Sequence, residues 1–263
     1  MAAGTSPQGL VIDERDSVRW LTLDRPARKN ALDLPLLHAL TTQVERASRD
    51  PDCRVLVLAG SGGAFCAGAD LELLSRAGSH DLESRLDDFH RLIHAVAGCP
   101  VPVVAAVDGP AVGFGADLAL SCDLRVLSSR GYIDHGFVRL GLMPDGGGTH
   151  TLTRLVGRSR AFELMTLPER LDAASCERLG LANHVVAPEE LQEFTGALAA
   201  RLAAAAPLAV RNIKQALRQG ERDALERALA RERQGQLELL RSADFQEGVA
   251  AFTEKRAPRF RGS

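Results

Sequence analysis

Four short runs rich in valine, leucine and alanine recur along the first half of this chain: VRWLTL (18–23), RVLVLAG (54–60), VPVVAAVDG (101–109) and LRVLSS (124–129). Their length and β-branched content predict strands, while LPLLHALTTQVERAS (34–48) and LDDFHRLIHAVAG (86–98) between them carry apolar residues at helical spacing. Strand alternating with helix restricts the chain to an α/β architecture. From about residue 160 the strand signal nearly disappears, HVV (184–186) excepted, and AFELMTL, LQEFTGALAARLAAAA, PLAVRNIKQALRQG and ERDALERALARERQGQLELL read as helices. The expected division is a core over 1–199 and a helical C-terminal subdomain over 200–263. Opposite charges in the last of these helices often stand three or four residues apart, as on a solvated face. Its apolar stripe is free to face the core or another subunit.

Composition excludes several classes. A hydrophobic fraction of 45% with 25% charged residues is that of an ordinary globular chain, so neither disorder nor a fibrous repeat is expected. A net charge of −2 gives no global pull toward nucleic acid or anionic lipid, so any anion must be held locally. The start, MAAGTSPQGL, lacks the basic flank and apolar stretch of a signal peptide, and no apolar run approaches the roughly 18–20 residues of a membrane span. The expected location is the cytoplasm, without a membrane partner. Cys53, Cys66, Cys99, Cys122 and Cys176 are odd in number, widely spaced and without a C-x-x-C pair, which predicts reduced, mostly buried thiols. Lysine is rare, and Lys29, Lys214 and Lys255 stand out for that reason.

The chemistry is concentrated in glycine-rich turns. In CPVPVVAAVDGPAVGFGADLALSCD (99–123) an apolar strand enters a Pro/Gly turn, then a second turn through Gly113 and Gly115, then a helix whose first turn holds Asp117. Glycine permits both the sharp turn and a close ligand approach, and the unpaired N–H groups of a helix start point outward at the positive end of its dipole. The GFG triplet is no dinucleotide fingerprint, because the third glycine and an acidic residue about 20 positions on are missing. A tight turn without a ligand is the plainer alternative. However, AGSGGAFCAGADLELL (59–74) repeats the device. Two such turns can aim two N–H groups at one oxygen, as an oxyanion hole requires.

The segments GGAFCAGADL, VDGPAVGFGADLALSCDLRV, GLMPDGGGTHTLTRLVG and GVAAFTEKRAPRF, in this order and spacing, resemble the crotonase family of enoyl-CoA hydratases and isomerases over about residues 10–260. The resemblance implies a crotonase-like spiral of ββα units, a homotrimer or dimer of trimers, and an acyl-CoA substrate with no cofactor beyond the coenzyme A it carries. It implies an oxyanion hole from the N–H groups of Ala69 and Phe114, in turns that contain Gly68 and Gly113, with the Phe114 side chain of little consequence. It also places Lys29, Ala31, Ala67, Gly68, Asp70 and Leu71 along the coenzyme A, and Phe252 and Lys255 toward its nucleotide end. The acyl tail would run along residues 75–95.

Two positions depart from a hydratase. Where the family's hydratases carry two glutamates, this chain has Asp117 and Phe137, and phenylalanine transfers no proton. Asp145 stands where the single-aspartate isomerases of phenylacetate degradation carry theirs, and moving a double bond needs one base that takes and returns a proton. Isomerisation by Asp145 is the expected reaction. The alternatives are a hydratase with a reduced carboxylate set, a dehalogenase or hydrolase with Asp145 as nucleophile and His90 or His94 as base, and a non-enzymatic RNA-binding relative. The dehalogenases carry tryptophan where this chain has Phe137, and a lysine-rich helix for RNA is lacking. Asp145 also reads as an N-cap for TLTRLVG, and Asp117 as an acid that a helix dipole stabilises regardless of function. His90 and His94 lack a third ligand, and Arg91 stands where H-E-x-x-H needs glutamate, so no metal is expected. His135, beside Asp134, reads as a pocket-wall or hydrogen-bonding residue.

Overall fold

In the computed structural model, which describes residues 4–6, 9–72, 79–219 and 222–262, the valine- and leucine-rich runs form the middle of one sheet. Strands β1 (Gly4–Ser6) and β2 (Leu10–Arg15) lead antiparallel into β3 (Val18–Leu23). From there β4 (Val55–Gly60), β5 (Val103–Val107), β7 (Leu124–Ser128) and β10 (His184–Val186) add in parallel. A second, small sheet joins β6 (Pro110–Val112), β8 (Tyr132–Asp134) and β9 (Leu171–Asp172). Each of β5 and β7 is followed at once by a short strand in the small sheet, and the segment after β4 joins it through a Cys66–Ala111 bridge. This is the repeated ββ unit of the expected spiral, completed after β6 by a helix.

The helices are α1 (Leu34–Ala47), α2 (Ser79–Gly98), α3 (Phe114–Ser121), α4 (Gly148–Val156), α5 (Arg158–Thr166), α6 (Ala173–Arg178), α7 (Leu191–Ala204), α8 (Pro207–Gln219), α9 (Arg222–Leu240) and α10 (Ala243–Glu254). Side chains alternate across a strand, so one run supplies two cores. Leu56 and Leu58 pack with Leu36, Leu37, Leu40 and Val44 of α1 and with Phe89, Leu92 and Val96 of α2. Val55 and Val57 turn the other way, onto Leu191, Ala199 and Ala203 of α7. Burying each such leucine or valine contributes about 1.5–3 kcal/mol, which is why strands buried on both faces read as unbroken apolar runs. The strands β1 and β2 were not foreseen, because LVIDER is half polar and its outer residues are exposed.

Beyond α6 the chain is helical apart from β10. Helix α7 runs through residues 199 and 200, where the sequence places the subdomain boundary, and packs on the main sheet. Helix α8 is tied down by Lys214, whose buried Nζ donates to the Val101 carbonyl at 2.7 Å and to Asp123 at 2.6 Å, with Arg218 on the other Asp123 oxygen at 2.7 Å. One of the three lysines is thus a structural tie. Helix α9 turns Ala228, Leu229, Glu232, Gln236, Leu237 and Leu240 inward, so its apolar stripe covers its own chain. All five cysteines are free and buried. No single helix among the described residues is long and apolar enough to cross a membrane.

One buried side chain joins the segment 29–32 to the turn that follows β4. Asn30, fully buried at a left-handed φ of 58°, accepts from the Arg25 N–H at 2.8 Å and donates to the carbonyls of Ser61 at 3.0 Å and Ala64 at 2.7 Å. Asparagine tolerates this backbone conformation better than most residues. Removing its amide leaves three buried polar groups unpaired, each costing about 1–3 kcal/mol. Asn30→Ala is expected to lower the urea midpoint by the equivalent of about 2–4 kcal/mol without changing the m-value; an unchanged midpoint would show that the two loops are held by something else.

Candidate active site

The two strand-to-helix turns meet. Gly113 adopts φ 55° and ψ −123°, a conformation open to glycine, and hands the chain to α3. At Gly115 a Cβ would lie 2.2 Å from the Cys66 carbonyl oxygen, so only a bare backbone lets α3 dock on the other turn. The Val112 N–H donates to that same carbonyl at 2.9 Å, and a Cβ on Gly68 would stand 3.4 Å from the Phe114 nitrogen. The structure therefore brings the Ala69 and Phe114 segments side by side. Neither N–H has an acceptor among the described residues. The Phe114 side chain, expected to be of little consequence, is instead buried and packs edge-to-face on Phe89 with ring centroids 4.6 Å apart. Its ring is part of the core that α2 and α3 share.

The segment Lys29–Leu32 lies along the first turn. Ala67 N–H donates to the Lys29 carbonyl at 3.0 Å, Leu32 N–H to Gly68 at 2.8 Å, and Asp70 N–H to Leu32 at 2.9 Å. Lys29, Ala31, Ala67, Gly68, Asp70 and Leu71 thus form one seam, with Lys29 exposed and Asp70 paired to Arg25 at 3.3 Å. Phe252 and Lys255, at the end of α10, are exposed, and no hydrogen bond or ion pair among the described residues joins them to the seam. Of the expected acyl-tail segment, residues 75–78 lie outside the described residues. Its later part is α2, where His90 faces inward and His94 turns to Glu226 at 3.5 Å, so the two histidines do not converge.

Three carboxylates gather behind the turns. Asp117, fully buried in the first turn of α3, accepts the Gly146 N–H at 3.0 Å, and His135 Nε2 lies 3.2 Å from its other oxygen. The loop Gly146–Gly148 passes so close that a Cβ on Gly148 would be 2.3 Å from Asp117 Oδ1. That proximity is what the glycine triplet is for. Asp145 is also buried; its Oδ2 accepts from Gln236 Nε2 at 2.9 Å and its Oδ1 has no partner. It does not cap α4. The N–H groups of Gly147 and Thr149 donate instead to Glu232 of α9, at 2.7 and 2.8 Å, and the Thr149 hydroxyl bonds to the same carboxylate.

Burial, reinforced by the charge of Asp117, pushes the Asp145 carboxyl up to about 7, against the pull of Gln236. Burial and Asp117 likewise push Glu232 up to about 8, against its donors on Thr149 and Gly147. His90 is pushed down to about 4 by burial and by His94, so it is neutral at pH 7, hydrogen-bonded to the backbone of Asp145. Phe137 is buried among Leu82, Leu86, Leu142 and Leu237, with its ring facing Gly113. Asp145 is thus a buried carboxylate with one oxygen without a partner and a proton affinity near neutrality, the kind of group that can move a proton on and off a carbon. Among the described residues no cluster of three His, Cys, Asp or Glu is placed to hold a metal ion.

Glu232 and Gln236 escaped the sequence reading, which took their helix as a charged, solvated surface. The available signal was positional: both fall on the stripe of Ala228, Leu229, Leu237 and Leu240, where a polar residue needs a buried partner.

A family model for enoyl-CoA hydratase/isomerase matches residues 13–263. A probable enoyl-CoA hydratase of Rhodobacter capsulatus is 41% identical over 243 residues, covering 92% of this chain and 93% of that protein. The 1,2-epoxyphenylacetyl-CoA isomerase of Escherichia coli is 37% identical over 249 residues, covering 93% and 95%. A crystal structure of an enoyl-CoA hydratase from Mycobacterium avium subsp. paratuberculosis aligns with a TM-score of 0.89 at 35% identity, covering 96% of this chain and 98% of that one.

The raised carboxylates have a consequence for stability. Folded, Asp145 and Glu232 keep protons that the unfolded chain releases near pH 4, so their contribution is complete below that pH and is lost as pH rises through about 7 to 8. Asp145→Asn keeps an oxygen for Gln236 but never ionises. In thermal melts its Tm is expected to exceed that of the parent by roughly a few degrees at pH 8.5 and the difference to shrink steadily as pH falls toward 4; an equal difference at both pH values would count against a buried, proton-holding Asp145.

Proposed function

Because this chain belongs to the enoyl-CoA hydratase/isomerase family, we propose that it moves a double bond along an acyl-CoA, with Asp145 as its single acid/base. The observation that carries the reading is the state of Asp145: Gln236 holds one of its oxygens, the other is buried without a partner, and burial with the charge of Asp117 pushes its carboxyl up to about 7, while Phe137, which the resemblance sets where a hydratase has its second carboxylate, offers no acid. Similarity to the 1,2-epoxyphenylacetyl-CoA isomerase supports it.

Asp145 Oδ1 removes a proton from the carbon next to the thioester of a 3-enoyl-CoA. The electron pair moves to the thioester oxygen, which the Ala69 and Phe114 N–H groups hold as a dienolate, each donor being worth roughly 2.7–4 kcal/mol in a dry site. The same carboxyl returns the proton two carbons further along, giving the 2-enoyl-CoA. No group beyond the substrate's own coenzyme A takes part. Lys29, Ala31, Ala67, Gly68, Asp70 and Leu71 would carry its pantetheine, Gly113 shapes the turn beneath the thioester, Phe137 walls the acyl pocket, and Phe252 and Lys255 reach toward the nucleotide.

A displacement reaction is the second reading, favoured by one observation: neutral His90 hydrogen-bonds the Asp145 backbone while its Nε2 is buried without a partner. There Asp145 would attack a haloaryl thioester and His90 would activate the water that frees the product. A hydratase built on Asp117 alone is the third.

The region 200–263 is read as the assembly subdomain of a homotrimer or dimer of trimers. Leu208, Ile213 and Leu217 of α8 stand 60–72% exposed in the single chain, with Phe162 and Leu167 near α5 similarly bare. Apolar surface of this kind is ordinarily covered by a partner. Unpaired cysteines suit a reducing compartment, in keeping with a cytoplasmic location.

Two measurements test these proposals. Incubation with 2-enoyl, 3-enoyl and haloaryl CoA thioesters, read by mass spectrometry, is expected to show an isomer of unchanged mass, not an added water or lost halide. Asp145→Asn should lower that rate about 10²–10⁴-fold and Asp117→Asn by less; full activity in Asp145→Asn would end the isomerase reading. In sedimentation the protein should run as a trimer or hexamer at micromolar concentration, and a clean monomer would remove the assembly proposal.

A further inference from the structure

The loop that carries Asp145 is held at both ends by one turn of α9. Gln236 donates Nε2 to Asp145 Oδ2 at 2.9 Å and accepts the Met143 N–H through Oε1 at 3.1 Å. Glu232, one turn earlier, takes the N–H groups of Gly147 and Thr149 and the Thr149 hydroxyl. The two side chains are 0% and 1% exposed, and each polar atom of both is used within the loop. Between them lies Gly235, which faces the Met143 side chain, so α9 and the loop pack closely here.

We propose that Gln236 and Glu232 are positioning residues for the acid/base carboxylate: Gln236 occupies one oxygen of Asp145 and so selects the other as the working one, while Glu232 fixes the loop beneath it. The proposal rests on the reading of Asp145 as the acid/base. An amide donor on a carboxylate also favours its ionised form, so the helix sets proton affinity as well as direction. The other groups facing Asp145 act differently. Asp117, from α3 with His135 behind it, adds negative charge; Glu232, from α9, holds its proton near neutrality and acts on the loop through Gly147 and Thr149; His90, from α2, is neutral and touches the backbone. Among the described residues Gln236 is the side chain that donates to the Asp145 carboxylate.

The test is Gln236→Met, which keeps the length and removes the amide. The Asp145 carboxyl is followed by 13C NMR titration, its signal identified by loss in Asp145→Asn, alongside the pH dependence of kcat/KM. The expected result is a midpoint about one pH unit higher than the parent in both, a fall of about tenfold in kcat at pH 7, and a KM within about threefold of the parent. If the methionine variant does not fold, Gln236→Asn replaces it, since its shorter amide falls short of Asp145 and requires the same upward shift. A midpoint equal to the parent's in a folded variant overturns the proposal, as does a loss of activity that merely tracks Tm. Should Asp145→Asn keep full activity while the NMR midpoint still moves, the acid/base reading falls and the control of Asp145 by Gln236 stands.

Discussion

The contact on which the site depends is between Gly115 and the Cys66 carbonyl. Here the first turn of α3 rests directly on the backbone that follows β4, at a separation no side chain could enter. It joins two successive ββ units, brings the segments that carry Ala69 and Phe114 side by side, and sets α3 so that Asp117 meets the loop 146–148. The sheets give this contact a rigid base. Because β4 and β5 are neighbours in parallel register, the loops at their ends cannot drift apart without breaking a ladder buried on both faces.

The charge arrangement behind that contact is unusual in what neutralises it. Asp117, Asp145 and Glu232 lie together, and their oxygens are served by N–H groups of Gly146, Gly147 and Thr149, by the Thr149 hydroxyl and by one amide. Backbone donors orient a carboxylate without lowering its proton affinity as far as a full positive charge would. That is the condition under which Asp145 can both release and accept a proton near neutrality. Cations are used elsewhere, in the Lys214 and Arg218 grip on Asp123, where strength matters and titration does not.

Much of this was legible in the sequence, for reasons that also explain what was not. The runs at 18–23, 54–60, 101–109 and 124–129 could be read because strands buried on both faces are apolar throughout. β6, β8 and β9 could not, since elements of two or three residues carry no period. The glycines of GFG announce a close approach to the backbone, but what comes close, the Cys66 carbonyl, is distant in the chain; the contact of GGG with Asp117 carries no sequence signal. The Phe114 ring was judged indifferent because the reading attended to its N–H, and its packing on Phe89 is a tertiary fact. Glu232 and Gln236 were hidden by the charges around them, although their place on the apolar stripe set them apart.

The brace on Asp145 also orders events in time. Gln236 lies 91 residues beyond the aspartate it contacts, and Glu232 lies 85 beyond the glycine it holds. On the ribosome the sheets, the two turns and Asp145 itself emerge before α9 exists. Until then Asp145 lacks the Gln236 amide that holds one of its oxygens. Helix α9, followed only by α10 among the helices, thus closes over a loop that the earlier chain has already positioned. Such a long-range closure is a slow step in folding, since the loop entropy must be met before the contact rewards it.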